Sequence, residues 1–114
     1  RYHWLVVPDV ALQKARLTRL HLAGKADCWS DLGFGFAEEE PHGIIGRVLP
    51  VERIEPYDPK QLKRELKGRG LELLKRDFPL PAEELMRRLG TRPGADLRMA
   101  FTKIRNDFWA IRLK

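Results

Sequence analysis

The sequence has few of the residues that anchor chemistry. A single cysteine, Cys28, among 114 residues excludes an internal disulfide, and nothing points to an oxidising compartment. The three histidines, His3, His21 and His42, stand far apart, and none sits at a zinc-like spacing from a second ligand, so no metal site is expected. There is no Gly-x-Ser-x-Gly, no His-Glu-x-x-His and no Walker loop. The acidic run Glu38–Glu40 reads as a solvated turn rather than an acid/base pair. No long uncharged apolar run exists, so no membrane span is expected. The opening "RYHWLVV" lacks the apolar core and cleavage site of a signal peptide. The chain also lacks an initiating Met, internal repeats and low-complexity tracts. The expectation is a single cytoplasmic domain over residues 1–114, excised from a longer chain.

What is present is charge, unevenly placed. The net charge is +6, with 43% hydrophobic and 33% charged residues, the profile of a folded domain. Residues 1–56 carry 7 Lys/Arg against 8 Asp/Glu, and residues 57–114 carry 15 against 8. All of the surplus positive charge therefore lies in the second half, where it can attract a polyanion or balance an acidic neighbouring domain.

Hydrophobic periodicity orders the elements. "WLVV" reads as a strand closed by Pro8, and residues 9–25, "DVALQKARLTRLHLAGK", as one long helix stopped by Gly24. Residues 26–43 read as strand and turn material, and "IIGRVLPVERI" as a further strand, placed at a sheet edge or broken by a bulge because Pro50 cannot donate to a ladder. In "YDPKQLKRELKGRG", Asp58 is placed to cap a helix that begins at Pro59 and ends at Gly68 or Gly70. "LELLKRDF" alternates as a strand. "PAEELMRRLG" is a helix with Glu83 and Glu84 in its first turn, Arg87 and Arg88 in its last, and Gly90 as its stop. "LRMAFTKI" and "FWAIRLK" alternate as two strands joined by the turn "RND", with Phe101 and Trp109 both expected on core faces. The predicted order is β-α-β-β-β-α-β-α-β-β: an α+β fold, a small mixed sheet with helices packed on one face.

One motif imitates chemistry. "DLGFGF", Asp31 to Phe36, spells the acidic-Gly-x-Gly opening of a cofactor loop. Such a loop needs an apolar strand before it and a helix after it, so that free N–H groups face the ligand. Here "GKADCWS" precedes, Phe36 occupies the third glycine position, and Pro41 and Gly43 cut short any helix. Alternating glycine and aromatic residues instead place Phe34 and Phe36 on one side of a strand as packing residues. No catalytic residue and no cofactor-binding residue is assigned.

The second half carries the candidate site. Lys60, Lys63, Arg64 and Lys67 fall at i, i+3, i+4 and i+7, on one helix face opposite Leu62 and Leu66. Arg69 lies between two glycines, Lys75 and Arg76 end the next strand, and Lys103 and Arg105 mark the hairpin end. These nine cations fit contacts to phosphates, and equally a solvated face with Glu65 and Glu72 as local partners.

The pattern resembles a known family. "WLVVPDVALQKARL" looks like the opening of the THUMP-like C-terminal domain of bacterial class I SAM-dependent methyltransferases, and "LKRELKGRGLELLKRDFPLPAEELMRRLG" is similar to its second half. The likeness runs from about Trp4 to Leu113, and departs from the pattern at Asp77, where glycine is expected after the basic pair. It implies an accessory module whose partner is an N-terminal methyltransferase domain of the same chain. That absent domain would hold S-adenosylmethionine, and the substrate class would be RNA, either tRNA or rRNA. The alternative is a structural docking module that stabilises the methyltransferase domain without contacting substrate.

Overall fold

The computed structural model describes residues 1–114, which divide into two units: residues 1–53 with Lys114, and residues 54–113. The elements, in order, are β1 (Trp4–Pro8), α1 (Val10–Lys14), α2 (Thr18–Leu22), β2 (Gly35–Ala37), β3 (Gly46–Pro56), α3 (Pro59–Leu66), β4 (Gly70–Arg76), α4 (Ala82–Leu89), β5 (Arg92–Pro93), β6 (Leu97–Ile104) and β7 (Asp107–Leu113). The α+β class predicted from periodicity is the one observed. The element order differs in three places, each with a local cause.

In the first unit, β1 pairs antiparallel with both β2 and β3, so that Leu5 faces Phe36 on one side and Leu49 on the other. A strand flanked on both edges and buried at Leu5 and Val6 reads in sequence as an unbroken apolar run. The strand around Pro50 is neither at an edge nor broken: β3 runs through it from Gly46 to Pro56 with a neighbouring strand on each side. The single helix expected over residues 9–25 is two five-residue helices. Arg16 breaks it by adopting a left-handed backbone, φ 57. The N–H of Arg16 donates to Gln13 O at 3.1 Å and that of Leu17 to Leu12 O at 2.9 Å, the paired bonds of a Schellman ending. Arginine here occupies the place glycine usually takes, so composition hides the break.

The second correction concerns residues 26–34. Where a separate strand was expected, there is one isolated bridge, Asp27 with Phe36. Ser30 then bends the chain. Its Oγ accepts from Leu32 N–H at 3.1 Å, and its carbonyl accepts from Gly33 N–H at 3.1 Å. A residue that organises a turn through both side chain and backbone ends strand pairing.

In the second unit, β4 pairs parallel with β6 and with β5, and β6 pairs antiparallel with β7. The two-residue β5 is the third difference. It forms only because Arg92 and Pro93 are carried alongside Gly70 and Leu71, and nothing in two residues announces a strand. Helices α3 and α4 cover one face. Leu62, Leu66, Leu85 and Leu89 meet Leu71, Met99, Phe101 and Ala110 in one core. Each fully buried leucine is worth on the order of 2 kcal/mol. The helix ends follow the sequence: Asp58 Oδ1 accepts from Gln61 N–H at 3.3 Å with Pro59 next in line, and α4 closes at Gly90 with φ 68. Phe101 lies in this core. Trp109, paired across from Thr102 while Phe101 pairs with Ala110, projects from the opposite face and is half-buried, so the two aromatics do not share a core.

Candidate nucleic-acid interface

The glycine-aromatic motif is packing. Phe34 and Phe36 are each 2% exposed, and the Phe36 ring lies 5.7 Å from both Tyr2 and Trp29. A Cβ on Gly35 would come within 2.7 Å of Leu22 Cδ1 and 3.1 Å of Val6 Cβ. The glycine admits hydrophobic neighbours, which fill the space where its side chain would stand. Beside it, the Tyr2 hydroxyl donates to Asp27 Oδ2 at 2.5 Å. That bond, burial and the nearby carboxylate hold the phenol above its usual range. The Cys28 thiol is pushed up chiefly by burial, so it is a poor nucleophile at neutral pH. No group of three or more His, Cys, Asp or Glu side chains is placed to hold a metal ion, and no helix is long and apolar enough to cross a membrane.

The cationic residues are built on the second unit. Lys60, Lys63, Arg64 and Lys67 are exposed on the side of α3 away from buried Leu62 and Leu66. Arg69 is exposed in the connection to β4. Lys75 and Arg76 sit at the far end of that seven-residue strand. At about 3.3 Å per residue, they lie roughly 20 Å from Arg69. The nine candidates therefore spread along β4: Lys67 and Arg69 stand at its near end, Lys75, Arg76, Lys103 and Arg105 at its far end, and Lys60, Lys63 and Arg64 along α3 between them.

At the far end, the basic pair is split by the strand itself, since consecutive side chains point to opposite faces. Lys75 shares the helix-covered face with Lys103, whose Nζ lies 4.0 Å from Asp77 Oδ1. Arg76 points to the other face. Arg105 is exposed in the hairpin turn with φ 59. Asp77, the departure from the family pattern, has φ 53. Glycine is the usual occupant of such a backbone, and aspartate tolerates it at modest cost. One aromatic is exposed here, Phe108, which pairs across from Lys103. Its position next to the charged turn residues gave it no apolar context in the sequence.

The near end gathers more charge than the sequence suggested. Helices α3 and α4 finish together: Gly68 N–H donates to Gly90 O at 2.8 Å, and Arg92 N–H donates to Arg69 O at 3.1 Å. Lys67 packs against Gly90, where a Cβ would stand 3.3 Å from Lys67 Cγ. Arg87 closes the last turn of α4, and Arg92 opens β5. Neither was among the nine cations taken from the sequence as candidates. The available signal was that both helices have cations in or just after the last turn and a glycine beyond it, but nothing local says that the two glycines meet. Four cations, Lys67, Arg69, Arg87 and Arg92, thus share one end. Asp96 Oδ2 lies 3.8 Å from Arg92 Nη2 and offsets one of them. Two helix C-termini contribute about half a negative charge each, so a surplus of about two positive charges remains.

Glu84 with Arg88 at 2.9 Å, Glu72 with Arg98 at 3.1 Å and Glu65 with Arg112 at 3.3 Å neutralise cations that are not among the nine.

Comparison with known proteins adds a lineage to this geometry. The family model described as THUMP domain-like matches residues 46–114, which is more than half of the chain. No curated protein matches. Among solved structures, the crystal structure of a putative methyltransferase from Porphyromonas gingivalis W83 superposes with a TM-score of 0.83 at 19% identity. The match covers 98% of this chain and 29% of that one, so this chain spans less than a third of that protein's length.

Proposed function

The chain belongs to the THUMP domain-like family, and from that premise we propose that it is the C-terminal accessory domain of a bacterial, cytoplasmic SAM-dependent methyltransferase that helps to position an RNA substrate, tRNA or rRNA. In this reading all of residues 1–114 act as one accessory domain and perform no chemistry. S-adenosylmethionine belongs to a methyltransferase domain N-terminal to them.

The observation that carries the reading is the joined end of α3 and α4, where Lys67, Arg69, Arg87 and Arg92 stand on adjoining backbone. Cations set on rigid helix ends meet phosphates without reading bases, which suits an accessory role. Lys63 and Arg64 extend the same surface along α3, and the second group, Lys75, Arg76, Lys103 and Arg105, offers a further contact about a strand's length away. The test is salt-dependent RNA binding by the natural full-length protein. The double reversal K67E/R69E is expected to weaken binding at least tenfold and to flatten the slope of log affinity against log salt by about 1.5. Unchanged affinity and slope would remove this end of the domain from the RNA interface.

A further inference from the structure

The first unit has a surface that the RNA reading does not use. Seven large hydrophobic side chains are exposed in the whole chain, and six belong to this unit: Val10, Leu17, Leu20, Trp29, Leu32 and Ile45. Hydrogen bonds gather the segments that carry them around α1 and α2. Leu17 and Leu20 lie one turn apart at α2, and Leu20 and Trp29 line one open groove of about 810 Å³. The backbone N–H of Arg19 donates to Asp31 Oδ1 at 2.9 Å, which brings Leu32 beside α2. Ile45 N–H donates to His21 Nε2 at 2.9 Å, and Asp9 N–H to Ile45 O at 3.0 Å, which brings Ile45 and Val10 to the same helix pair. Singly exposed apolar residues are ordinary, but six gathered around two short helices form a patch of the kind that marks an interaction site.

We propose that this face docks on a folded domain of the same polypeptide, the methyltransferase domain that the accessory reading places N-terminal to it. The proposal rests on that reading. Charge argues against RNA as the occupant: residues 1–53 with Lys114 hold 8 Lys/Arg against 7 Asp/Glu, a net of +1, while residues 54–113 hold 14 against 9, a net of +5. The groove beside Leu20 and Trp29 carries Arg16 and Arg19 together with Asp27 and Asp31, so the partner's chemistry is apolar side chains accompanied by polar groups of both signs. A partner on the same chain is favoured by the solved relative, which carries this fold as 29% of a much longer polypeptide. Covalent linkage raises the effective concentration to about the millimolar range, so a face of modest size is enough. Interfaces between domains of one chain run to roughly 600–1,500 Å².

The test is side-chain footprinting of the natural full-length protein with a small diffusing carbene. Leu20 is 74% exposed in this domain, and by that measure it should label heavily. If the face is docked, Leu17, Leu20 and Leu32 label at least fivefold less than in the urea-unfolded protein, at every protein concentration. Heavy labelling of Leu20 overturns the proposal, and protection that fades on dilution overturns it in favour of a second copy of the chain. The variant L20D gives an independent reading. It should lower the thermal midpoint of the full-length protein by several degrees, and an unchanged midpoint counts against docking. RNA affinity measured on the same protein separates the two ideas, because K67E/R69E should change it while leaving Leu20 protected.

Discussion

Replacing Gly35 with alanine tests the packing account of the glycine-aromatic motif directly. The new methyl would stand 2.7 Å from Leu22 Cδ1, 3.1 Å from Val6 Cβ and 3.3 Å from Ala26 Cβ. Carbon atoms prefer about 3.5–4.0 Å, so the first contact is short by roughly an ångström. Leu22 and Val6 are both fully buried, which leaves the Leu22 methyl nowhere to swing. Overpacking of this kind costs about 1–3 kcal/mol. Alanine recovers about 0.4–1 kcal/mol by restricting the unfolded chain. The expected net loss is about 1–2 kcal/mol, read in urea denaturation by circular dichroism as a midpoint lowered by roughly 0.5–1 M. Gly33→Ala is the internal control, because its added methyl would meet only Ser30 O at 3.6 Å and Ser30 Cβ at 3.8 Å, which are ordinary contacts. It should be neutral or stabilising by a few tenths of a kcal/mol. A cofactor loop would show neither asymmetry nor stability loss, only weakened cofactor binding. A midpoint unchanged in Gly35→Ala, or lowered equally in both variants, would refute the packing account.

Three further outcomes follow from the geometry. Asp58→Ala removes the acceptor for Gln61 N–H and should destabilise the chain by about 1 kcal/mol in the same denaturation assay, while Asp58→Asn should retain most of the stability. Both tyrosines, Tyr2 through its bond to Asp27 and Tyr57 through burial, have phenols raised above the ordinary value of about 10. Native titration at 295 nm should therefore run later than that of the urea-unfolded chain. Because the unfolded tyrosines release their protons first, the stabilisation is complete below about pH 10 and is lost as pH rises through the native values. Tyr2→Phe should remove part of that alkaline loss. Cys28, raised by burial, should react with a disulfide reagent at neutral pH several-fold more slowly than an unhindered thiol and reach full rate on unfolding; equal rates in both states would contradict its placement.

The second half of the chain was largely legible because its signals are local. Asp58 and Pro59 start α3, Gly90 stops α4, and the alternation of Leu71 and Leu73 with Glu72 marks β4. Each depends on a few neighbouring residues and a fixed backbone period. The first half was less legible. Arg16 adopts a backbone that glycine normally signals, and the leucines around it keep a helical rhythm across the break. Leu17 and Leu20 fit a core stripe in that rhythm, yet they are exposed. For the candidate site, the cations on α3 and their outward face could be read from spacing, but their partners could not.

The sequence alone determined the α+β class, the start of α3 and the stop of α4, the surplus of positive charge in the second half, and the packing role of Phe34 and Phe36 in "DLGFGF". All of these follow from residue type and short-range period. Tertiary structure decided which cations act together. Parallel pairing of β4 with β5 brings Arg92 beside Arg69, while the length of β4 holds Lys75 and Arg76 away from them. It also decided why Gly35 is glycine, since Leu22 and Val6 reach it from 13 and 29 residues away in the chain. Such contacts form only when distant segments are packed together, and no local pattern of residues encodes the distance between them.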